Sequence, residues 1–344
     1  MGMASGLPRS RPRKGSSLIV DVHCHVIVEE MTAQAVPENW RPAVRRENGR
    51  YRLAFRGRDI SSVVSEFTDV EEMLGAAAAT GVDHLLLSPW ISLVPTEAEP
   101  AEARTVCEVH NAALAAITAA HAGRVSAVGA VVLQDPPLAA GQVAELMVSG
   151  LAGVEIPASV AGRYLGDDFF LPFWAAAEDS GALVFIHPTT RGFGVPALDG
   201  YYLWNSVGNP METAIAAAHM AMAGVLDRHP RLRVLLAHGG GALPVVRGRL
   251  RRAFAVRPEA RARITSGPDT ALRRFYYDTV THDHDLLSDL ARYAGPGQLL
   301  LGSDRPFDMG TDHPVDEVRA LGLGTGEELV LGGNAARLLG IPGG

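Results

Sequence analysis

The chain has almost none of the sulfur on which small secreted folds depend: among 344 residues only Cys24 and Cys107 are cysteine. Two thiols cannot form a disulfide framework, so the fold must rest on a buried core, and a reducing compartment, by default the cytoplasm, is expected. Positive charge is also in short supply. Against 38 Asp and Glu there are 31 Lys and Arg, a formal net charge of −7, and no basic stripe follows a helix or strand. Nucleic acid and anionic lipid are therefore not expected as partners. The arginine-rich stretches 247–252 and 257–263 read as solvated helix faces. No apolar run is long enough to cross a bilayer, since even 112–120 is short and mostly alanine. Neither a GxGxxG nor a Walker pattern is present, so no organic cofactor is expected. Residues 1–16 are basic and rich in Gly, Pro and Ser, lack the apolar stretch a targeting signal needs, and read as a frayed tail.

What is present fits a folded α/β protein. Hydrophobic residues make up 47% of the chain and charged residues 20%, a balance that supplies one large core. Eight apolar stretches read as strands: 17–26, 82–88, 125–133, 153–156, 182–187, 232–238, 275–280 and 298–304. Helical segments separate them at 69–80, 97–122, 136–149, 168–180, 210–228, 242–256, 284–293 and 315–321, with a terminal one at 327–339. The first four stop at Gly81, Gly123, Gly150 and Gly181, where a residue free to turn left-handed ends a helix. Continuous apolar strands alternating with helices indicate a parallel sheet covered on both faces. The length permits a single domain over 17–344. Eight units with polar residues at strand ends predict a closed (β/α)8 TIM barrel, because such barrels carry their sites at the C-terminal ends of the strands. Residues 27–66, with Trp40 and many arginines, form an insertion after the first strand, predicted to be irregular and to act as a lid or substrate loop.

Four strands close on residues suited to metals or proton transfer. In Asp21-Val22-His23-Cys24-His25 the period of two puts Asp21, His23 and His25 on one face, so two imidazoles can reach one ion while Cys24 packs on the other side. Alone, HxH more often marks a hydrogen-bonded strand end than a metal site. His187 at the end of one strand and Asp304 at the end of another change that reading, because nitrogen and oxygen donors together suit one divalent ion, zinc first and manganese second. His238 closes a further strand, where it can serve as acid/base beside such an ion. The three glycines after it permit either close approach of backbone to a ligand or a tight strand-to-helix turn. His84, His110, His121, His219 and His229 read as surface or capping residues, while His282, His284 and His313 follow the last two strands and can reach the rim.

With these residues in view, the chain resembles the amidohydrolase superfamily, specifically its decarboxylase branch. DVHCH, the strand-end His-Pro, HPRLRVLLAHGGG, GSDRPFD and GNAARLLG match in order between about residues 18 and 340. NPMETAIAAAHMAMAGVLDRHP and HGGGALPVVRGRL are most similar to the aminocarboxymuconate-semialdehyde decarboxylases as a family. The resemblance implies His23, His25, His187 and Asp304 as metal ligands, His238 as the acid/base, and Arg56 and Arg249 as clamps on substrate carboxylates. It also implies a homodimer in which Arg249 is donated by the neighbouring subunit. A planar guanidinium meets a carboxylate with two parallel hydrogen bonds, which suits that task. Two departures stand out: Thr189-Thr190-Arg191 replaces an aromatic-acidic pair after the His-Pro, and Arg305 replaces a tyrosine in the last motif. They point to a more acidic or differently placed anionic group on the substrate, with Arg191 as a further contact.

The implied reaction is non-oxidative decarboxylation of a small aromatic or muconate-type acid, the ion acting as Lewis acid and His238 handling the proton. The same residues could turn water against a lactone, amide or double bond, as in a hydrolase or hydratase. A non-catalytic scaffold is disfavoured because all five site residues are present.

Overall fold

In the computed structural model, residues 17–342 are described apart from 34, 48–49, 56–57, 64–66 and 191–193. The 1–16 tail lies outside the described residues. β1 (Val20–Val26) leads into the insertion, which holds α1 (Glu29–Thr32), β2 (Ala43–Glu47), β3 (Arg50–Phe55) and β4 (Arg58–Val63). The barrel resumes with β5 (His84–Pro89), β6 (Val125–Gly129) and β7 (Gly153–Pro157), followed by a small hairpin of β8 (Ser159–Val160) and β9 (Arg163–Tyr164). It is completed by β10 (Leu183–His187), β11 (Arg233–Leu236), β12 (Tyr276–Asp278) and β13 (Leu299–Leu300). The eight main strands form one sheet in the order β1-β5-β6-β7-β10-β11-β12-β13. It closes on itself where the Val22 amide donates to Leu301 at 2.9 Å and the His25 amide to Arg305 at 2.8 Å. The expected (β/α)8 barrel is thus what forms.

The outer layer follows the same order. α2 (Val70–Ala79), α3 (Pro100–Ala120), α4 (Pro136–Val148) and α5 (Leu171–Ser180) are each followed by the glycine expected to stop them, with φ between 68° and 89°. The segment expected as one helix at 210–228 is two, α6 (Asn209–Met222) and α7 (Val225–Arg228), because Gly224 turns left-handed at φ 73° between them. α8 (Leu243–Val256), α9 (Pro268–Leu272), α10 (His284–Ala294), α11 (Pro314–Ala320) and α12 (Asn334–Leu339) complete the ring.

The insertion is not irregular, contrary to expectation: β2, β3 and β4 pair as an antiparallel sheet. Along β3, Leu53 and Phe55 are buried while Ala54 is exposed, a period of two that the surrounding arginines obscure in the sequence. Ring contacts run from Trp40 to Phe55, then through Trp90, Phe67 and Phe307 to His25, with centroids 5.1 to 6.2 Å apart. The insertion is therefore packed against the mouth of the barrel.

Strict alternation along β1 also fails. A register shift between Asp21 and Cys24 leaves Val20 and Val22 in the inner cluster with Leu86, Phe185 and Leu300, joined from below by Ala335 of α12. Asp21 leaves the face of His23 and His25, and its Oδ1 accepts from the amides of His23 at 3.1 Å and Ser303 at 3.0 Å. Cys24 packs in the outer core, as expected. Two histidines expected at the surface are buried. His84 lies between the Gly123 carbonyl and the Ser126 hydroxyl, and burial pushes His110 down to about 4.

Candidate metal centre and active site

His23 and His25 sit on β1, His187 is the last residue of β10, and Asp304 follows β13. One donor atom from each lies within 4.8 Å of the others, and all four residues are buried. His23 Nε2 is 3.0 Å from His25 Nε2, and both are 3.2 Å from Asp304 Oδ1. The far ring nitrogens decide which atoms face this point. His23 Nδ1 is 2.6 Å from Asp278 Oδ2, His25 Nδ1 is 3.2 Å from the Pro89 carbonyl, and His187 Nδ1 is 2.9 Å from the Pro188 carbonyl. Carbonyls and ionised carboxylates only accept, so each neutral imidazole carries its proton on Nδ1 and turns an Nε2 lone pair inward. Two such lone pairs 3.0 Å apart cannot bond each other unless one ring takes a second proton, and His187 Nε2 is buried with no hydrogen-bond partner. A divalent cation satisfies all three nitrogens and the carboxylate at once, so the residues fit the ion expected here.

The electrostatics agree with this arrangement. Burial opposes charge on His23, but Asp304 and Asp278 outweigh it and raise its pKa to about 10. Burial lowers His25, and burial together with the neighbouring imidazoles holds His187 well below the ordinary range. Burial works against the Asp304 carboxylate too, yet the imidazoles around it keep its pKa well below the usual carboxylate value.

His238 lies outside the four. It follows β11 in a tight turn, with Nε2 3.4 Å from Asp304 Oδ2 and its ring centroid 5.2 Å from those of His23 and His187. Its side chain is 16% exposed, so it alone among these imidazoles meets solvent. His238 and Asp304 both adopt left-handed backbone, at φ 57° and 60°, a conformation that costs about 1–3 kcal/mol in a residue with a side chain and persists where the surroundings enforce it. Gly239, Gly240 and Gly241 serve the turn. A Cβ on Gly241 would lie 2.1 Å from the Pro210 carbonyl, and one on Gly240 2.7 Å from the Tyr277 ring.

Two carboxylates were not singled out by sequence. Asp278 ends β12 and accepts from His23 as well as from backbone amides of the His238 turn. Glu155 in β7 is buried, which pushes its carboxyl well above the ordinary value, and its Oε1 is 3.9 Å from His25 Nδ1. Each interrupts or ends an apolar strand, the same signal that marked His187 and Asp304. Of the arginines, Arg56 and Arg191 lie outside the described residues. Arg249 is exposed on α8; its neighbours Arg247 and Arg251 pair with Asp289 and Asp269, whereas Arg249 has no ion pair among the described residues. At the mouth, the Thr189 amide and hydroxyl donate to Glu212 at 2.7 and 2.9 Å. His282 contacts the Met309 carbonyl at 2.7 Å.

The amidohydrolase family profile matches residues 20–341. The chain belongs to that family. A 2-amino-3-carboxymuconate-6-semialdehyde decarboxylase of Dictyostelium discoideum is 28% identical to this amidohydrolase over 94% of the chain and 92% of its own length. Among solved structures, 5-carboxyvanillate decarboxylase from Sphingomonas paucimobilis superposes with a TM-score of 0.79 at 23% identity, covering 95% of this chain and all of the other. A dihydroxybenzoic acid decarboxylase from Polaromonas sp. JS666, solved with bound manganese, gives a TM-score of 0.77 at 20% identity, covering 95% and 98%. These structural likenesses show the shared barrel. The chain is an enzyme of the decarboxylase kind within its family.

Because His23 is the one imidazole of the three held protonated through neutral pH, an ion entering the cluster must displace its proton. Uptake should release about one proton, and affinity should rise about tenfold per unit between about pH 7 and 9, since competition fades as pH climbs toward the His23 value. Titration of weakly buffered protein with Zn2+ or Mn2+, together with chelator competition, measures both. Affinity independent of pH would remove His23 from the ligand set.

Proposed function

We propose that this enzyme is a metal-dependent, non-oxidative decarboxylase of a small aromatic or muconate-type carboxylic acid, needing no organic cofactor. The observation that carries the reading is the placement of His238, close to Asp304 yet outside the four converging donors and open to solvent. A single-ion site with an acid/base beside it is what protonation coupled to loss of carbon dioxide requires. The names of the Dictyostelium relative and the structural neighbours support the substrate class.

We assign His23, His25, His187 and Asp304 as ligands of one ion, zinc first and manganese second. Bound there, a divalent ion supplies a Lewis acid for the substrate's oxygens. His238 Nε2 delivers the proton: the electron pair of the breaking carbon–carbon bond stays on the substrate carbon and takes that proton, and the carboxylate departs as carbon dioxide. Its exposed edge lets His238 recover a proton from solvent. Arg56, Arg191 and Arg249 are assigned to the substrate's anionic groups, Arg249 from the second subunit of a homodimer. Val245, one turn earlier on α8, is 72% exposed and lies on the same helix face as Arg249. Both cysteines are free and buried, in keeping with a cytoplasmic setting. Among the described residues, no helix is long and apolar enough to cross a membrane.

In a screen of aromatic and muconate-type acids, carbon dioxide release should match substrate loss mole for mole. Retention of solvent oxygen-18 in the organic product would make the enzyme a hydrolase or hydratase instead. Asp304→Asn and His187→Ala should lose metal and activity by orders of magnitude with unchanged circular dichroism, since the ion serves chemistry more than the barrel core. His238→Ala should retain metal and lose about 100- to 10,000-fold in rate; metal loss equal to that of the ligand variants would overturn its role.

Arg249→Ala subunits keep an intact metal site, and Asp304→Asn subunits keep the arginine, so a mixed dimer should hold one complete site. With random exchange about half of the dimers are mixed and half of their sites repaired, giving recovery near a quarter of wild-type activity per site. No recovery in heterodimers verified by mass spectrometry would place Arg249 within its own chain or away from the site.

A further inference from the structure

We infer that Asp278 is a positioning residue that couples the two halves of the active site, one carboxylate fixing both the ligand tautomer of His23 and the turn that aims His238. This inference rests on the metal-dependent reading above and assigns a role to a residue outside its ligand set.

The carboxylate is fully buried and both oxygens are committed. Oδ2 accepts from His23 Nδ1 at 2.6 Å and from the His238 amide at 2.9 Å. Oδ1 accepts from the Gly239 amide at 2.7 Å and the Val280 amide at 3.1 Å. His238 and Gly239 are consecutive left-handed residues, φ 57° and 60°, and both their amides donate to this one carboxylate. The turn carrying His238 therefore closes on the same group that orients His23. On the other side, accepting from Nδ1 leaves the Nε2 lone pair of His23 free for the ion and makes it more basic. Gly302 packs closely on the bases of both side chains, since a Cβ there would lie 3.0 Å from the Cβ atoms of Asp278 and His23.

Asparagine at this position presents one acceptor and one donor. Whichever way its amide is turned, an NH2 group faces two donors: either His23 Nδ1 and the His238 amide, or the Gly239 and Val280 amides. The first orientation drives the His23 proton to Nε2, where the ion must bind; the second opens the turn under His238.

The test uses Co2+ as probe, by chelator competition and visible absorption, with carbon dioxide release as a separate measure. Asp278→Asn should bind Co2+ about 10- to 100-fold more weakly, with altered absorption bands, and at saturating Co2+ it should still turn over more slowly with little change in KM. Affinity and bands equal to wild type in a folded variant would overturn the His23 half of the inference, and full turnover at saturation the His238 half. Should the variant fail to fold, nitrogen-15 NMR of the zinc-loaded wild-type enzyme decides: His23 protonated at Nδ1 supports the inference and protonation at Nε2 sinks it. A wild-type enzyme that releases no carbon dioxide from any acid would count against the decarboxylase reading, while the Co2+ and NMR arms would still judge Asp278.

Discussion

Three imidazole lone pairs and one carboxylate are forced together at a buried point, and the active end of the barrel is organised around that convergence. His23 and His25 present their Nε2 atoms to each other at 3.0 Å, a contact that neutral rings with Nδ1 protons cannot make favourable. The proton that Asp304 and Asp278 hold on His23 relieves it in one way, and a divalent ion relieves it more completely because it also reaches His187 Nε2. The cluster is therefore poised between a proton and a metal, and the competition between them follows from the same few distances.

The barrel makes this possible by dividing labour between strands and turns. β1 and β10 hold three of the four converging donors on strand backbone, above an inner cluster in which Phe185 packs in a T-shaped contact with the His23 ring at 4.9 Å, and the fourth, Asp304, follows β13. The strained backbone lies just beyond the strands, at His238 and Asp304, where left-handed φ values re-aim side chains that a straight continuation would point elsewhere. Hydrogen bonds from neighbouring strands keep those residues in place: the Asp304 amide donates to the His23 carbonyl at 2.8 Å, and the His238 amide to Asp278. Strain is thus concentrated where chemistry needs an unusual direction, and the sheet absorbs it.

Around that centre the mouth is built from two unlike walls. On the His25 side, largely buried aromatic rings run from the inserted sheet to Phe307 and fix the insertion in place. On the His187 side, Glu212 gathers the Thr189 amide and hydroxyl and the Ser159 hydroxyl, tying the segment after β10 to α6. Thr190 follows at φ 61°, with its hydroxyl 3.1 Å from that of Ser92. One of the two departures from the resemblance family, at Thr189 and Thr190, thus falls on a segment anchored at its start, while the other, Arg305, directly follows Asp304 and accepts the His25 amide through its carbonyl.

The amino-acid sequence by itself determined the barrel, the four converging donors and the neighbouring histidine. Those features are written in local patterns: apolar strands ending in a polar residue, glycine stops after helices, and an HxH whose spacing delivers two rings. What depended on contacts between distant segments was decided only in the tertiary structure. Leu53 and Phe55 were hidden among arginines until both were buried in the outer core, Phe55 against Trp40 and Trp90. The bulge in β1 that removes Asp21 from the site comes from pairing with β5 and from the Ser303 amide, more than 280 residues away. Asp278 reads in sequence as the end of one more strand, and it acquires its place only because β12 sets its carboxylate beside His23 from β1 and beneath the turn after β11. A hydrogen bond between residues 255 positions apart leaves no periodic trace in either segment, whereas burial of a strand face leaves one every second residue.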